Sequence, residues 1–261
     1  VKFSQHIGLL PAVMIAPDDA EIISGGSDER RRWLDAILCQ LDMDYLDHLI
    51  AYQKTLQQRN SLLKLLSEKR SRELSLFEAL DALDALLVQH GMPVFESRKQ
   101  FLADFLPAVK ERYHLIADNP EETDIIYQSF LHTDRFSDLL LQNREKDILL
   151  QRTTGGIHRD DLLFLLNGHP VKTTGSQGQR KSFLFALKLT QYHIIREHKH
   201  LPPLLLLDDI FEKMDNQRIQ RLVQMISSKD YGQIVITETY AVRLKAAFGL
   251  LLDELQLIEM Q

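Results

Sequence analysis

The run Leu204-Leu205-Leu206-Leu207-Asp208-Asp209 leaves this chain few ways to fold. It follows Pro202-Pro203, and its four leucines carry no polar break. Such a run reads as a short strand buried on both faces of a parallel sheet. Two carboxylates then stand at the strand's C-terminal tip, the place where open α/β sheets bind ligands. A first carboxylate there suits Mg2+, usually through water, and a second suits an attacking water. The plainer reading is a buried strand that closes in a turn, since Asp favours turns and helix N-caps.

The stretch upstream moves the balance. Gly175-Ser176-Gln177-Gly178-Gln179 precedes Phe183, Ala186, Leu187, Thr190 and Ile194, which step along one face of a helix. A loop of Gly, Ser and Gln at a helix N-terminus offers free N–H groups, a hydroxyl and amides where the dipole is positive, a surface for phosphate. Polar loop, helix, apolar strand and acidic pair, in that order, match the C-terminal lobe of an ABC-type ATPase. Asp208 and Asp209 then read as a Walker B pair. Met214-Asp215 falls at the D-loop, and Asn216 to Ile226 reads as the helix after it.

With these motifs in hand the chain resembles the C-terminal three-quarters or so of the RecF family of bacterial recombination mediators. Three stretches carry the resemblance. The first runs from Pro17-Asp18-Asp19 through Ile22-Ile23-Ser24-Gly25-Gly26 to Arg30-Arg31-Arg32-Trp33-Leu34-Asp35. The second is Gly156-Ile157-His158-Arg159-Asp160-Asp161-Leu162, and the third extends from the signature-like loop Ser176-Gln177-Gly178-Gln179 to Asp215, Arg218 and Leu222. Departures are Gln177 for the first signature Gly, Ser27 for Pro, Trp33 for Phe or Tyr, and Glu212-Lys213-Met214 for a small residue, an acid and Leu. Glu238 stands where many ABC ATPases place a switch histidine. An ionised acid cannot donate to a γ-phosphate, so this departure points to slow turnover.

Composition sets bounds on partners. The chain has 261 residues, 44% of them hydrophobic, which is enough for one or two cores. The net charge of −6 argues against a wholly basic nucleic-acid glove, so any DNA contact must be a local patch. The single cysteine, Cys39, lies in the apolar run around Leu34, Ile37, Leu38 and Leu41 and reads as a core residue. One cysteine cannot form an internal disulfide, and a reducing cytoplasm fits. No apolar run nears the ~20 residues of a membrane span.

The middle of the chain reads differently. Tyr45, Leu49, Tyr52, Leu56, Leu63 and Leu66 fit a heptad seam with Arg59 as its polar break. A second seam, Leu76, Leu80, Leu83 and Leu87, should end at Gly91-Met92-Pro93, and a third helix should stop near Pro107. Tyr113 to Phe130 alternates about Asn119-Pro120 and reads as a hairpin. Leu162–Leu166, Asn167-Gly168 and Val171–Thr173 give a second hairpin signal, and 250–258 a last strand. The expected class is therefore α/β, an ABC-type ATPase head lobe of the P-loop NTPase fold, truncated, with an inserted, mostly helical arm. The expected boundaries are 1–42 for the first head part, 43–150 for the arm and 151–261 for the C-terminal lobe.

Two groups keep two readings. Arg30, Arg31 and Arg32 fan over most of a helix circumference, as solvated or ion-paired arginines or as contacts to DNA phosphate or nucleotide. His158, with Arg159 beside it, is either a hydrogen-bonded loop histidine or a positioning group near the nucleotide or the dimer face. No second His, Cys or carboxylate stands at a metal-ligand spacing from it.

The sequence contains no G-x-x-x-x-G-K-[ST] run, and its nearest miss, Gly175 to Lys181-Ser182, has Arg180 where the second Gly must be. The resemblance places that phosphate cradle roughly 100 residues ahead of Val1, which makes this chain read as a fragment, expected to be inactive as an ATPase by itself. It also implies a cytoplasmic DNA-repair switch. Two heads would sandwich two ATP molecules, with Ser176, Gln177, Gly178 and Gln179 capping the partner's γ-phosphate. Asp208 would hold Mg2+, Asp209 would position water, and Asp215 would cross to the partner. The resemblance further implies double-stranded or gapped DNA, RecO, RecR and a second copy as partners, and RecA loading at gaps as the purpose. Two rivals remain: an SMC-type ABC head, which the short arm disfavours, and an interaction module indifferent to nucleotide.

Overall fold

The computed structural model describes residues 7–69, 73–117, 121–210, 214–239, 241–249 and 256–258. In chain order they form β1 (Ala12–Ile15), α1 (Ala20–Ser24), α2 (Ser27–Leu41), α3 (Met43–Lys69), α4 (Leu74–Ile116), β2 (Thr123–Gln128), α5 (Phe136–Gln142), α6 (Arg144–Leu150), β3 (Asp161–Leu166), β4 (His169–Pro170), α7 (Val171–Thr174), α8 (Gln177–Lys199), β5 (Leu204–Asp208), α9 (Asn216–Ile226), β6 (Ile234–Thr237) and α10 (Ala241–Phe248). The chain divides into two compact units. One is built mainly from Gly26–Phe105 and Ile125–Leu163, the other from Leu9–Gly25, Leu106–Asp124 and the stretch from Phe164 onward.

The second unit is organised by the parallel sheet β1-β5-β6, with β5 in the centre. Its register aligns Ile15, Leu207 and Ile236, then Asp208 with Thr237. Leu205, Leu207, Val13 and Ile15 are buried on one face, whereas Leu204 and Leu206 on the other are half-buried and Met14 is exposed, so the burial on both faces expected of β5 is complete on one face only. Helix α8 packs beside β1 and is enclosed on every side from Ser182 to Tyr192. The one-faced pattern expected of α8 is thus too narrow, because the helix is central and not peripheral. Lys188, on α8, is buried yet satisfied: its Nζ donates to the Met14 carbonyl at 3.0 Å and to Asp19 at 2.6 Å. Asp19 also accepts the Ala16 N–H at 2.9 Å, which fixes the Pro17-Asp18-Asp19 turn leading out of β1.

The first unit is helical, and its interior carries charge. Tyr45, Leu49, Tyr52, Leu63 and Leu66 of the predicted seam are buried along α3. Leu63 and Leu66 pack with Leu80 and Leu76 of α4. The polar break, Arg59, is fully buried. Its guanidinium donates to Asp84 at 2.5 Å, Asp147 at 2.7 Å and Thr153 at 3.0 Å, so one side chain ties α3, α4, α6 and the loop after α6 together. A second buried guanidinium, Arg98 of α4, donates to Asp35 of α2 at 2.8 Å, to Asp160 at 3.2 Å and to the Ile157 carbonyl at 2.9 Å. Cys39 is buried nearby, and burial beside Asp35 pushes its thiol up to about 12, so it behaves as a core residue.

Three sequence expectations are corrected here. Helix α4 ends neither at Gly91-Met92-Pro93 nor near Pro107; it continues for 43 residues. An internal proline costs a helix about 3 kcal/mol. Val94, Phe95, Arg98, Phe105 and Val109 around the two prolines are all buried, and each large apolar side chain returns roughly 1.5–3 kcal/mol. Tertiary burial therefore overrides the local breaker. The first arm of the hairpin expected from Tyr113 is the last turn of α4, while Asn119-Pro120 lies outside the described residues. The second hairpin exists but is short. Leu165 and Leu166 pair with Pro170 and His169 across Asn167 and Gly168, both at positive φ. Val171–Thr174 then turns into helix α7, with Thr173 and Thr174 bonding back to the Pro170 carbonyl. Of the last expected strand, 250–255 lie outside the described residues, and 256–258 form no strand.

Candidate functional site

In the second unit, β5 delivers Asp208 and Asp209 to the C-terminal edge of the parallel sheet. Asp208 accepts a hydrogen bond from the Thr237 hydroxyl at the tip of β6. Asp209 adopts a left-handed backbone, φ 47°, and its N–H donates to the Thr237 carbonyl at 3.1 Å. A non-glycine residue in that region is uncommon, and Asp is one of the few that tolerates it. The chain therefore turns sharply between the two carboxylates, and Ile210 re-enters the core. Both carboxylates are half-buried. Carboxylate and hydroxyl oxygens at one sheet edge form a hard donor set of the kind Mg2+ takes. Among the described residues, no cluster of three or more His, Cys, Asp or Glu is placed to hold a metal by itself. Glu238 follows β6 directly and is half-buried.

The signature-like loop starts α8. Ser176 is its N-cap, and a complete capping box closes it. The Ser176 hydroxyl accepts the Gln179 N–H at 3.2 Å, while the Ser176 N–H donates to the Gln179 side-chain carbonyl at 2.6 Å. The Gln179 amide then donates to Glu121, which also accepts from the Tyr113 hydroxyl. Gln179 is thus occupied at both ends and shapes the loop. Ser176 and Gln177 are exposed, so the Ser176 hydroxyl proton and the N–H groups of the first α8 turn face outward, a fitting arrangement for an anion.

Gly178 has a specific reason to lack a side chain: a Cβ there would stand 1.9 Å from Nη1 of Arg218. Arg218 belongs to α9, whose N-cap is Asp215. The Asp215 carboxylate accepts the Arg218 N–H at 2.9 Å and pairs with its guanidinium at 3.5 Å. Asp215 and the loop that opens α8 thus meet through one arginine.

The remaining candidates lie in the first unit. Arg30 is buried and makes a two-pronged pair with Asp161, at 2.7 and 3.0 Å. That geometry holds α2 to the start of β3 and leaves no face for an outside phosphate. Arg31 is half-buried and donates to the Asp160 carbonyl and to Asp28. Arg32 is exposed and bonds Glu29 one turn away. His158 follows Gly156, whose φ of 125° only glycine adopts readily and where a Cβ would meet Tyr52 Oη at 2.7 Å. The Thr153 carbonyl, 3.1 Å from His158 Nε2, can only accept, so Nε2 carries the proton. Nδ1 then accepts from the Tyr52 hydroxyl at 2.7 Å. Burial, with the charges of Arg159 and Arg31, pulls the imidazole down to about 4. His158 is therefore a neutral, doubly bonded loop histidine at pH 7.

Sequence reading missed Glu121, Tyr113 and Lys188. None carries a local motif, and each matters only through a partner distant in the chain. Arg152, Lys146 and Phe130, which line one cleft with His158, likewise carry no local motif.

No protein-family model matches the chain. Curated relatives do. A DNA replication and repair protein RecF of Parabacteroides distasonis is 44% identical over 238 residues, covering 91% of this chain and 63% of its own length. The RecF of Flavobacterium johnsoniae is 40% identical over 245 residues, covering 94% and 67%. Among solved structures, the recombination mediator protein RecF with ATPrS, of the RecFOR pathway, superposes with a TM-score of 0.80 at 26% identity, over 92% of this chain and 65% of that one. RecF with ATP gives 0.78 at 27% identity. The chain thus spans roughly two-thirds of the length of these relatives. The fold is that of an ABC-type ATPase head, α/β and rich in helix.

Proposed function

Because the chain belongs to the RecF family of DNA replication and repair proteins, we propose that it supplies the signature-loop and carboxylate portion of an ATP-dependent switch that closes two copies on DNA. The observation that carries this reading is the pairing, within one compact unit, of a capped anion-ready helix start at Ser176 with two carboxylates at the tip of β5. In this reading Asp208, steadied by Thr237, holds Mg2+, and Asp209 orients the attacking water. The Ser176 hydroxyl and the N–H groups of Gln177 and Gly178 cap the terminal phosphate presented by a second copy. Gln179 and Arg218 hold that loop in shape, and Asp215 meets the partner. The nucleotide supplies the phosphoryl group whose hydrolysis resets the switch. Glu238 offers no neutral donor in the switch position when ionised, so turnover is slow.

Head at 1–42, arm at 43–150 and C-terminal lobe at 151–261 remain the proposed functional division. The partners proposed with it are double-stranded or gapped DNA, RecO and RecR, with RecA loading at gaps as the outcome.

The test uses the whole gene product. Ser176→Arg should abolish ATP-dependent dimerisation on sedimentation while ATP binding by the monomer persists; undiminished dimerisation sinks the reading. The rival reading is a module that docks partners without nucleotide. It predicts identical dimerisation and DNA binding with and without ATP.

A further inference from the structure

Helices α3 and α4 come close together where Gly91 faces Tyr52. A Cβ at position 91 would stand 2.6 Å from the Phe136 ring and 3.0 Å from the Tyr52 ring. Tyr52 is buried, and its hydroxyl is held on His158 at 2.7 Å, so the crossing is firm. His48 stands one turn before Tyr52 on α3, and His90 stands next to Gly91 on α4. Their rings meet across the gap with centroids 5.4 Å apart, inclined at 49°. Nδ1 of one lies 3.2 Å from Nδ1 of the other.

Two imidazole nitrogens at that distance can share a proton, donated by whichever ring carries it on Nδ1. They can equally share a metal ion that takes both lone pairs. With N–metal bonds of about 2.0–2.1 Å, a separation of 3.2 Å subtends about 100–106° at the ion. That is close to the tetrahedral angle that Zn2+ takes and wider than the ~90° of a square-planar ion. A modest turn of each ring about its broad terminal torsion aims both lone pairs at one point.

The surroundings suit the exchange of proton for metal. Neither Nε2 bonds a described residue, so the Nδ1 proton can pass to Nε2 of the same ring without breaking a bond to protein. Both histidines are half-buried on helical backbone, fixed in place yet near enough to solvent for water to complete a coordination shell. Asp44 lies one turn before His48 on the same face of α3, exposed, where its carboxylate adds negative potential. Among the described residues no group of three or more His, Cys, Asp or Glu is placed to hold a metal. The ion would therefore take two protein nitrogens and keep water at its other positions.

We propose that His48 and His90 form a two-nitrogen clip for a borderline transition cation, with Zn2+ the best fit, which fastens α3 to α4 when bound. The clip shares no residue with the carboxylates of β5 and asks for neither nucleotide nor nucleic acid, so it stands or falls independently of the switch.

The experiment is calorimetric titration of the whole gene product with Zn2+, after removal of bound metal, at about pH 7.5, where a free imidazole is neutral. His48→Gln and His90→Gln should each weaken one Zn2+ equivalent about tenfold or more, because each removes one arm of a chelate. His198→Gln, at an exposed position of α8, should leave that equivalent unchanged. Zn2+ should raise the melting temperature of the unaltered protein and of neither clip variant, since an ion that ties two helices binds the folded state. Mg2+, which takes oxygen ligands, should not replace Zn2+ in that shift. If the glutamine variants melt early without metal, the unaltered protein alone gives the answer. Equimolar Zn2+ should then slow diethylpyrocarbonate modification of His48 and His90, read by peptide mass, and leave His198 at its metal-free rate. Zn2+ affinity and melting shift that survive in both variants, or modification of the pair at an unchanged rate, would reduce the pair to a hydrogen bond and overturn the proposal. Loss in His48→Gln without loss in His90→Gln would place the ion on α3 alone and overturn the clip.

Discussion

The two compact units are stabilised by different means. In the second, Leu205 and Leu207 from β5, Val13 and Ile15 from β1, and Phe183, Ala186 and Leu187 from α8 form an interior that is almost wholly apolar, with Lys188–Asp19 as its one described buried ion pair. In the first, Arg59 and Arg98 each lie inside a ring of carboxylates and hydroxyls. An apolar core tolerates small slips, because dispersion and burial are non-directional. A buried guanidinium tolerates fewer, because its donors need acceptors in fixed places, and Arg59 leaves only Nη2 without one. Long helices packed side by side can slide in steps of a turn. The Arg59 and Arg98 networks fix which turn of α3, α4 and α6 faces which.

The largest effect that would break this contrast comes from deleting a charge. Arg59→Met should destabilise the protein by about 3–5 kcal/mol, since Asp84 and Asp147 lose a buried partner. Leu207→Ala, a cavity in the sheet, should cost about 2–5 kcal/mol. The discriminating measurement is urea denaturation of Arg59→Met combined with Asp147→Leu. Recovery of part of the loss would show that an unpaired charge caused it, and no recovery would mean that packing volume had.

Acid should act on both units alike. His158 in the first and His193 in the second are each pulled down to about 4 by burial, His193 also by Arg112. Unfolded, each binds its proton near pH 6.5. Between those values the unfolded state holds more protons, so stability falls as pH drops below 6.5, by at most about 1.4 kcal/mol per pH unit for each histidine, and levels off below pH 4. His158→Gln should remove one histidine's share of that slope between pH 6.5 and 5 in thermal melts. An unaltered slope would mean that the folded protein already holds His158 protonated.

The smallest effect is local. Ser176→Ala removes the N-cap of α8 and should cost about 1 kcal/mol. Backbone hydrogen exchange should report it in the first α8 turn alone, because the stretch from Ser182 to Tyr192 beyond it is buried. Loss of protection throughout α8 would contradict that.

How legible these features were in sequence follows from how local they are. Strand β5, its acidic tip and the loop that opens α8 could be read directly, because a leucine run, a pair of aspartates and a Gly–Ser–Gln cluster are contiguous signals. Cys39 could be placed from its neighbours alone. The continuity of α4 could not, because Pro93 and Pro107 are strong local breakers and the side chains that overrule them are buried by residues far along the chain. The role of Arg59 showed only as an irregularity in a seam, since its acceptors lie 25, 88 and 94 positions away. At the candidate site the same division holds. The placement of Asp208 and Asp209 at a strand tip and of Ser176 at a helix start could be read in advance, whereas Glu121, which anchors Gln179, is 58 positions from it.

That anchor makes the loop selective about a single atom. A capping box ordinarily accepts Glu or Gln at its third helical position with little preference. Here the side-chain oxygen of Gln179 faces the Ser176 N–H and its nitrogen faces the Glu121 carboxylate. Exchanging that nitrogen for oxygen, as Gln179→Glu does, keeps the shape and the cap but sets two anions against each other beside Tyr113. The alphabet available at position 179 is thus narrowed to an amide by a residue outside the motif, and a carboxylate becomes admissible there only once position 121 has given up its charge.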